Sequence, residues 1–346
     1  MLLGIQERCT PSLTSEVAML AALLGSFAET QQVLSEQGNE LNRKTIQLIA
    51  YRAAERTRML QKMGHFGFEP QETTAGRRVV VSCDGGRIRL REKKRGPKTK
   101  KGRNHIQVAW REPKLFIIYV VDEDGKQSAS FSPVVDGLIQ GPNVMFALLR
   151  QYLKQLDIQE ADQLLFISDG ATWIWKRVPT LIQDLGIDNE RVHLLIDFFH
   201  AVQHLHKAAS LCKDWSAKQR KRWVSKQRKL LHSGKVDRVI DALRLLRKGR
   251  RAKGITTELN YFIKHRSHMA YDSLLALHLP IGSGRVPSGR ESAIRRIVNL
   301  RLKGPSIFWC KPNAESVLLL RSYYKTGRWK QLMSLALSPL VSHSFE

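Results

Sequence analysis

The chain has 346 residues, and 57 lysines and arginines against 31 aspartates and glutamates leave a formal net charge of +26, a balance that points to a polyanionic partner. A hydrophobic content of 42% with 25% charged residues excludes a disordered basic tail, and a chain this long buries a substantial core, expected as one large domain plus a smaller one. Four dispersed cysteines exclude a disulfide framework and a Cys-x-x-Cys zinc ribbon, and no apolar run is long enough to span a bilayer, so a cytoplasmic protein without a membrane partner is expected.

From Thr14 to about Leu60 apolar residues recur at helical spacing, with helices predicted over Phe27 to Gln37 and Asn42 to Arg56. Residues 1–63 thus form a helical region. Asn42 is placed to cap the second helix, which carries Arg43, Lys44, Gln47, Arg52 and Arg56. The pair reads either as a helix-turn-helix DNA reader or as a plain helical hairpin. Residues 64–76, rich in Gly, Gln and Thr, read as a linker.

The stretch Arg77 to Gly86 organises the rest of the chain. Val79, Val80 and Val81 predict a strand buried on both faces that delivers Asp84 to its exposed end, where Gly85 and Gly86 let the backbone turn. Gln163 to Gly170 has the same build and ends at Asp169. Asp-Gly after a strand is also ordinary turn chemistry. Two such strands side by side would nevertheless set two carboxylates at one sheet edge, as a divalent-metal site requires. Between them the chain turns strongly basic. Arg87, Arg89 and Arg91 alternate as on a strand, and Lys93, Lys94, Arg95, Lys98, Lys100, Lys101 and Arg103 come next in a loop broken by Gly96, Pro97 and Gly102. Such a segment grips phosphates without reading bases.

Strands are predicted over His105 to Arg111 and Lys114 to Asp122, the second running into the turn Asp122 to Gly125, whose acids read as turn chemistry. A helix over Pro142 to Leu156, the strand of Asp169, a helix from Ala171 to Leu185 and a strand from Val192 to Ile196 ending at Asp197 complete this part. The predicted order, strand-strand-strand-helix-strand-helix-strand, matches a mixed α/β sheet of the ribonuclease H-like kind. From Phe198 to about Leu279 the pattern is helical and densely basic, an all-helical insertion spanning about 205–279. A helix begins near Ser288 and carries Glu291. Another runs from Asn313 to Tyr324, with a short tail after it.

Taken together, Cys-Asp84-Gly-Gly, Ser-Asp169-Gly-Ala-Thr-Trp-Ile-Trp, Ile-Asp197-Phe-Phe-His200-Ala-Val-Gln-His-Leu, Pro-Ile-Gly-Ser-Gly, Glu291-Ser-Ala and Arg301-Leu-Lys-Gly resemble the DDE transposases of bacterial insertion sequences, specifically the Kra-type group related to the Mutator-like superfamily. The resemblance implies a ribonuclease H-like catalytic domain over 77–337, interrupted by the helical insertion, acting with Mg²⁺ (Mn²⁺ as substitute) on transposon-end and target DNA in the nucleoid, as a homo-oligomer on paired ends. By motif, Asp84, Asp169 and Glu291 match the catalytic, metal-holding acids, and Asp197 and His200 match an Asp-x-x-His motif. In the family the glutamate follows Gly-Ser-Gly almost at once, whereas six residues intervene here. Relatives also carry an N-terminal region with paired cysteines, and this chain starts beyond it, so a shortened copy is expected.

The chemistry this implies uses two metal ions about 4 Å apart, one activating the attacking oxygen and the other stabilising the departing one. Asp197 alternatively caps its helix, with His200 packed near the first turn. His200, His204 and His206 lack a cysteine or clear fourth ligand for zinc. Glu315, at the head of an apolar run, reads as a first-turn helix acid rather than a ligand. A DNA-binding protein without cleavage and a structure-selective nuclease on the same fold are the rival functions.

Overall fold

Val79, Val80 and Val81 are all fully buried in the computed structural model, which describes residues 9–248, 253–282, 294–304 and 306–338. Successive strand residues face opposite ways, so only a strand covered on both sides buries all three. That strand, β1 (Arg78–Gly85), is central among the described residues in a mixed sheet ordered β5-β4-β1-β6-β7. The chain leaves β1 through β2 (Ile88–Lys93) and β3 (Ile106–Arg111), then enters β4 (Lys114–Val121), β5 (Val134–Leu138), β6 (Gln163–Ser168) and β7 (Val192–Ile196). β4 runs antiparallel to both β1 and β5, whereas β1, β6 and β7 are mutually parallel neighbours. The protein is therefore an α/β structure with a mixed sheet.

Two sequence expectations change here. β2 and β3 pair only with each other among the described strands, forming a separate ribbon, so the predicted strand over His105 to Arg111 is not a member of the large sheet. Its place is taken by β5, which the sequence hides: Val-Val-Asp-Gly-Leu is short and contains two poor strand formers.

The helices before the sheet are α1 (Pro11–Leu23), α2 (Phe27–Glu36) and α3 (Arg43–Lys62). Asn42 caps α3 as expected, accepting from the Thr45 backbone N–H at 2.9 Å, and α3 runs six residues beyond Arg56. Within the sheet region, α4 (Pro142–Gln155), α5 (Thr172–Trp175) and α6 (Val178–Leu185) come after β5 and β6, the expected helix from Ala171 being broken near Arg177. After β7 come α7 (Phe198–Ser210), α8 (Ala217–His232), α9 (Val236–Arg247), α10 (Lys253–His265) and α11 (Tyr271–Ala276). A π-helical segment (Ile294–Asn299) leads into α12 (Leu300–Leu302), then α13 (Lys311–Lys325) and α14 (Trp329–Leu337), the last where only a tail was expected.

Each face of the sheet has its own core. Val79, Val81, Phe116 and Phe166 pack with α4 and α6 residues such as Leu149, Tyr152 and Leu181. Val80, Ile117 and Leu165 pack on the other side with α7 and the helices that follow it, including Ala201, Leu205, Val239 and Phe262. The N-terminal helices join the C-terminal ones in a third core, where Ala18, Ala50 and Ala54 meet Leu320, Leu332 and Met333. The segment 64–76 is tied down rather than strung between parts: Phe66 is buried against Tyr152, and Thr74 donates to the Leu156 carbonyl. Among the described residues, no helix is long and apolar enough to cross a membrane.

Candidate active site

Parallel strands end on the same side of a sheet, so β1, β6 and β7 bring their carboxyl ends together. Extending the pairing Val81↔Phe166 by three residues sets Asp84 level with Asp169, and one step past Ser168↔Ile196 sets Asp169 level with Asp197. Two hydrogen bonds accepted by Ser168 fix this edge. The Ser168 hydroxyl accepts from Cys83 N–H at 2.8 Å and the Ser168 carbonyl accepts from Asp197 N–H at 2.9 Å. The three aspartates thus arrive from three different strand ends at one place.

Their surroundings are electrostatically coupled. Burial, with Asp169 and Asp197 adding like charge, pushes the Asp84 carboxyl up to about 6, against the opposing pull of the Gly85 N–H and His200. Asp197 is buried and caps α7, its carboxylate accepting from Phe199 and His200 N–H at 2.7 and 3.1 Å. His200 Nδ1 lies 3.7 Å from the same carboxylate, an ion pair too long for a hydrogen bond. Asp197 above all, then Asp169 and Asp84, raise the His200 pKa, with partial burial opposing them. Asp169 is held by its own turn: its carboxylate accepts from Ala171 N–H, and its carbonyl from Trp175 Nε1. Trp175 in turn stacks on His268 at 4.7 Å, so this tryptophan is part of the wall.

The helices after α7 reach this edge through α10, a contribution that nothing in the sequence pattern signals. A Cβ on Gly170 would collide with Tyr261 Cε2, so only glycine permits α10 to sit so close to Asp169. Tyr261 stacks on His204 with ring centroids 3.6 Å apart, and His204 Nδ1 is hydrogen-bonded to Glu258. Burial first, then Asp169, Asp197 and Glu258, hold the Tyr261 hydroxyl in its neutral form.

Glu291 lies outside the described residues. The chain leading towards it passes the site: Phe198 N–H donates to the Ile281 carbonyl at 2.9 Å, and Gly282 lies so close to the Phe199 ring that a Cβ would meet it at 2.5 Å. Glu315 has a structural partner, accepting from Ile139 N–H at 2.9 Å. Among the described residues, no group of three or more His, Cys, Asp or Glu side chains is arranged to hold one metal ion.

The basic residues divide by place. Arg87, Arg91, Lys93, Lys94, Arg95, Lys98, Lys100, Lys101 and Arg103 are exposed on the ribbon and its tip, and Arg89 is half-buried. Since β2 begins just after Gly86, this charge lies next to Asp84 in the chain. Arg43 and Lys44 are exposed at the start of α3, where Arg43 Nε donates to Gln31. The acids of the Asp122 to Gly125 turn serve the turn itself, Asp122 accepting from Lys126 N–H at 2.8 Å.

Compared with known protein families, with curated proteins and with solved structures, the chain finds no match in any of the three.

Proposed function

We propose that the chain is a DDE-type transposase, a ribonuclease H-like enzyme that cuts and joins transposon-end DNA by metal-dependent phosphoryl transfer. The observation that carries this reading is the meeting of Asp84 and Asp169 at the ends of adjacent parallel strands, beside a ribbon of exposed arginines. The strand order supports the fold assignment, with an antiparallel meander on one side of β1 and parallel crossovers on the other, as ribonuclease H-like enzymes have it.

Asp84, Asp169 and, by motif, Glu291 would hold Mg²⁺, or Mn²⁺ in its place. The donors suit such an ion: they are oxygen ligands, and Asp84 is raised first by burial and then by the like charges of Asp169 and Asp197, a cost to its anion that a dication relieves. When bound, the metal supplies Lewis-acid stabilisation at the phosphoryl oxygens. The rest falls to the chain's own residues. Asp197 fixes the first turn of α7 and favours the cationic form of His200, which is then able to donate to a phosphate oxygen. α10 covers the Asp169 side and limits water there. The basic ribbon and its tip hold the DNA backbone. A homo-oligomer bridging paired ends belongs to the same reading.

Strand transfer tests it, using the full chain, a labelled duplex from the DNA flanking its coding sequence and supercoiled plasmid. Mg²⁺-dependent joining that disappears in Asp84→Asn is the expected result. Nicking without joining would indicate a structure-selective nuclease, and binding without either would indicate a DNA-binding protein without cleavage activity. Either outcome overturns the assignment.

A further inference from the structure

Gripping phosphates requires charge but no exposed apolar surface, and the β2–β3 ribbon carries both on one face. Directly opposed residues of an antiparallel pair point the same way, so the pairs Arg89↔Trp110, Arg91↔Val108 and Lys93↔Ile106 share the outer face. There Ile106, Val108 and Trp110 are 63%, 52% and 49% exposed. The inner face is anchored. Ile88 and Leu90 are buried in the core, and the backbone of Trp309 pairs with β2, accepting from Arg91 N–H at 2.8 Å and donating to the Arg89 carbonyl at 3.2 Å. The ribbon is therefore a supported platform whose outer face is left for something else.

We propose that this face reads sequence in the major groove of duplex DNA, an inference that rests on the DNA-binding reading above and moves base recognition to the ribbon. The major groove admits a two-stranded β-ribbon, whereas the deep, narrow major groove of A-form RNA does not. The side chains match what base edges offer: arginine pairs with guanine O6 and N7, and apolar groups pack on the thymine methyl. The arginines are held in place by neighbouring groups, Arg89 also donating to the Gly304 carbonyl, which leaves Arg87 and Arg91 as the exposed ones. Arg87 and Arg89 lie over the Trp110 ring at 5.3 and 5.8 Å, and Arg89 and Arg91 over Phe308 at 4.6 and 5.5 Å. Stacking holds a guanidinium in place without cancelling its charge, and among the described residues none of these three arginines is paired with a carboxylate. Because β2 starts just past Gly86, DNA read by the ribbon lies beside Asp84. Recognition and the acid pair are thus linked through the short connection between β1 and β2.

The experiment is selection from a pool of short duplexes with a randomised core, using the full chain and the double variant Ile106→Ser/Val108→Ser. Both positions are exposed and uncharged, so the variant keeps its fold and its phosphate contacts. The wild type is expected to enrich a defined motif, with methylation of guanine N7 within that motif blocking binding. The variant is expected to bind the starting pool with the same salt dependence but to lose about tenfold in preference for the motif. Equal enrichment by both proteins, binding of the pool without any motif, or insensitivity to N7 methylation would overturn the ribbon assignment while leaving DNA binding intact. A wild type that does not bind the pool, or that prefers RNA or an acidic protein, would remove both readings.

Discussion

Asp84 is an acid held where its charge is costly, and that has a consequence measurable without DNA. Its folded pKa of about 6 lies above the ordinary 3.8, so between those values the native state binds more protons than the unfolded one. Stability from this group is therefore fully present below about pH 4 and is lost as pH rises through 6. At about 1.4 kcal/mol per pKa unit the loss is on the order of 2–3 kcal/mol. In chelator, Asp84→Asn should lack this loss and unfold at a higher temperature than wild type at pH 8, with the gap closing towards pH 4; parallel melting profiles would show that burial and the neighbouring acids do not penalise this charge. Glu291→Gln should fold, bind DNA and fail to join ends, whereas Glu315→Gln should remain active and stable, its amide oxygen still accepting from the Ile139 N–H. The reverse pattern in a joining assay would exchange their roles. Asp84, Asp169 and Asp197 are legible in the sequence because each closes an apolar strand that ends at the same edge. The stacking of Tyr261 on His204 is not, because it depends on how α10 folds back onto α7, which local periodicity does not encode.

β5 succeeds as a strand because its one charge is answered from elsewhere. Asp136 is fully buried, yet Arg58 of α3 donates to both its oxygens at 2.7 and 2.8 Å and Tyr152 donates at 2.8 Å. Gln61 extends the network to Tyr152 and Tyr323, tying α3 to α4 and α13. The nearby carboxylate raises the Arg58 pKa further despite burial, so this guanidinium stays charged. Asp136→Ala should cost about 3–5 kcal/mol in chemical denaturation by stranding that charge, and adding Arg58→Met should recover part of the loss. No recovery would mean the pair is not the link between α3 and the sheet. A second contact between elements rests on Gly170. Gly170→Ala should push α10 away and destabilise the fold by about 1–3 kcal/mol, and Gly170→Ala/Tyr261→Ala should restore the packing, as melting temperatures would show. The strands β1, β6 and β7 and the cap of α3 are legible as local patterns. β5 is missed because long-range pairing overrides its poor strand composition, and the ribbon is placed in the wrong sheet because alternation reveals a strand but not its partner.

For the whole molecule, ten of the 57 lysines and arginines lie between Arg87 and Arg103, on the ribbon and its tip, whose first strand follows Asp84 in the chain. Neutralising Lys93, Lys94 and Arg95 should weaken binding to any duplex and reduce the salt dependence by up to about 3 units of slope, as titrations at several salt concentrations would reveal. An unchanged slope would place this segment off the DNA. The proposed transposase activity rests most on Asp84 and Asp169 acting together as a metal-holding pair on DNA bound by this surface. The most direct measurement is therefore Mg²⁺-dependent joining by wild type, Asp84→Asn and Asp169→Asn, with duplex affinity determined on the same samples. Joining by wild type alone is expected, with affinities equal within about twofold for all three, since each substitution keeps shape and removes only a ligand charge; joining by either variant at the wild-type rate would contradict the metal-holding role of the pair.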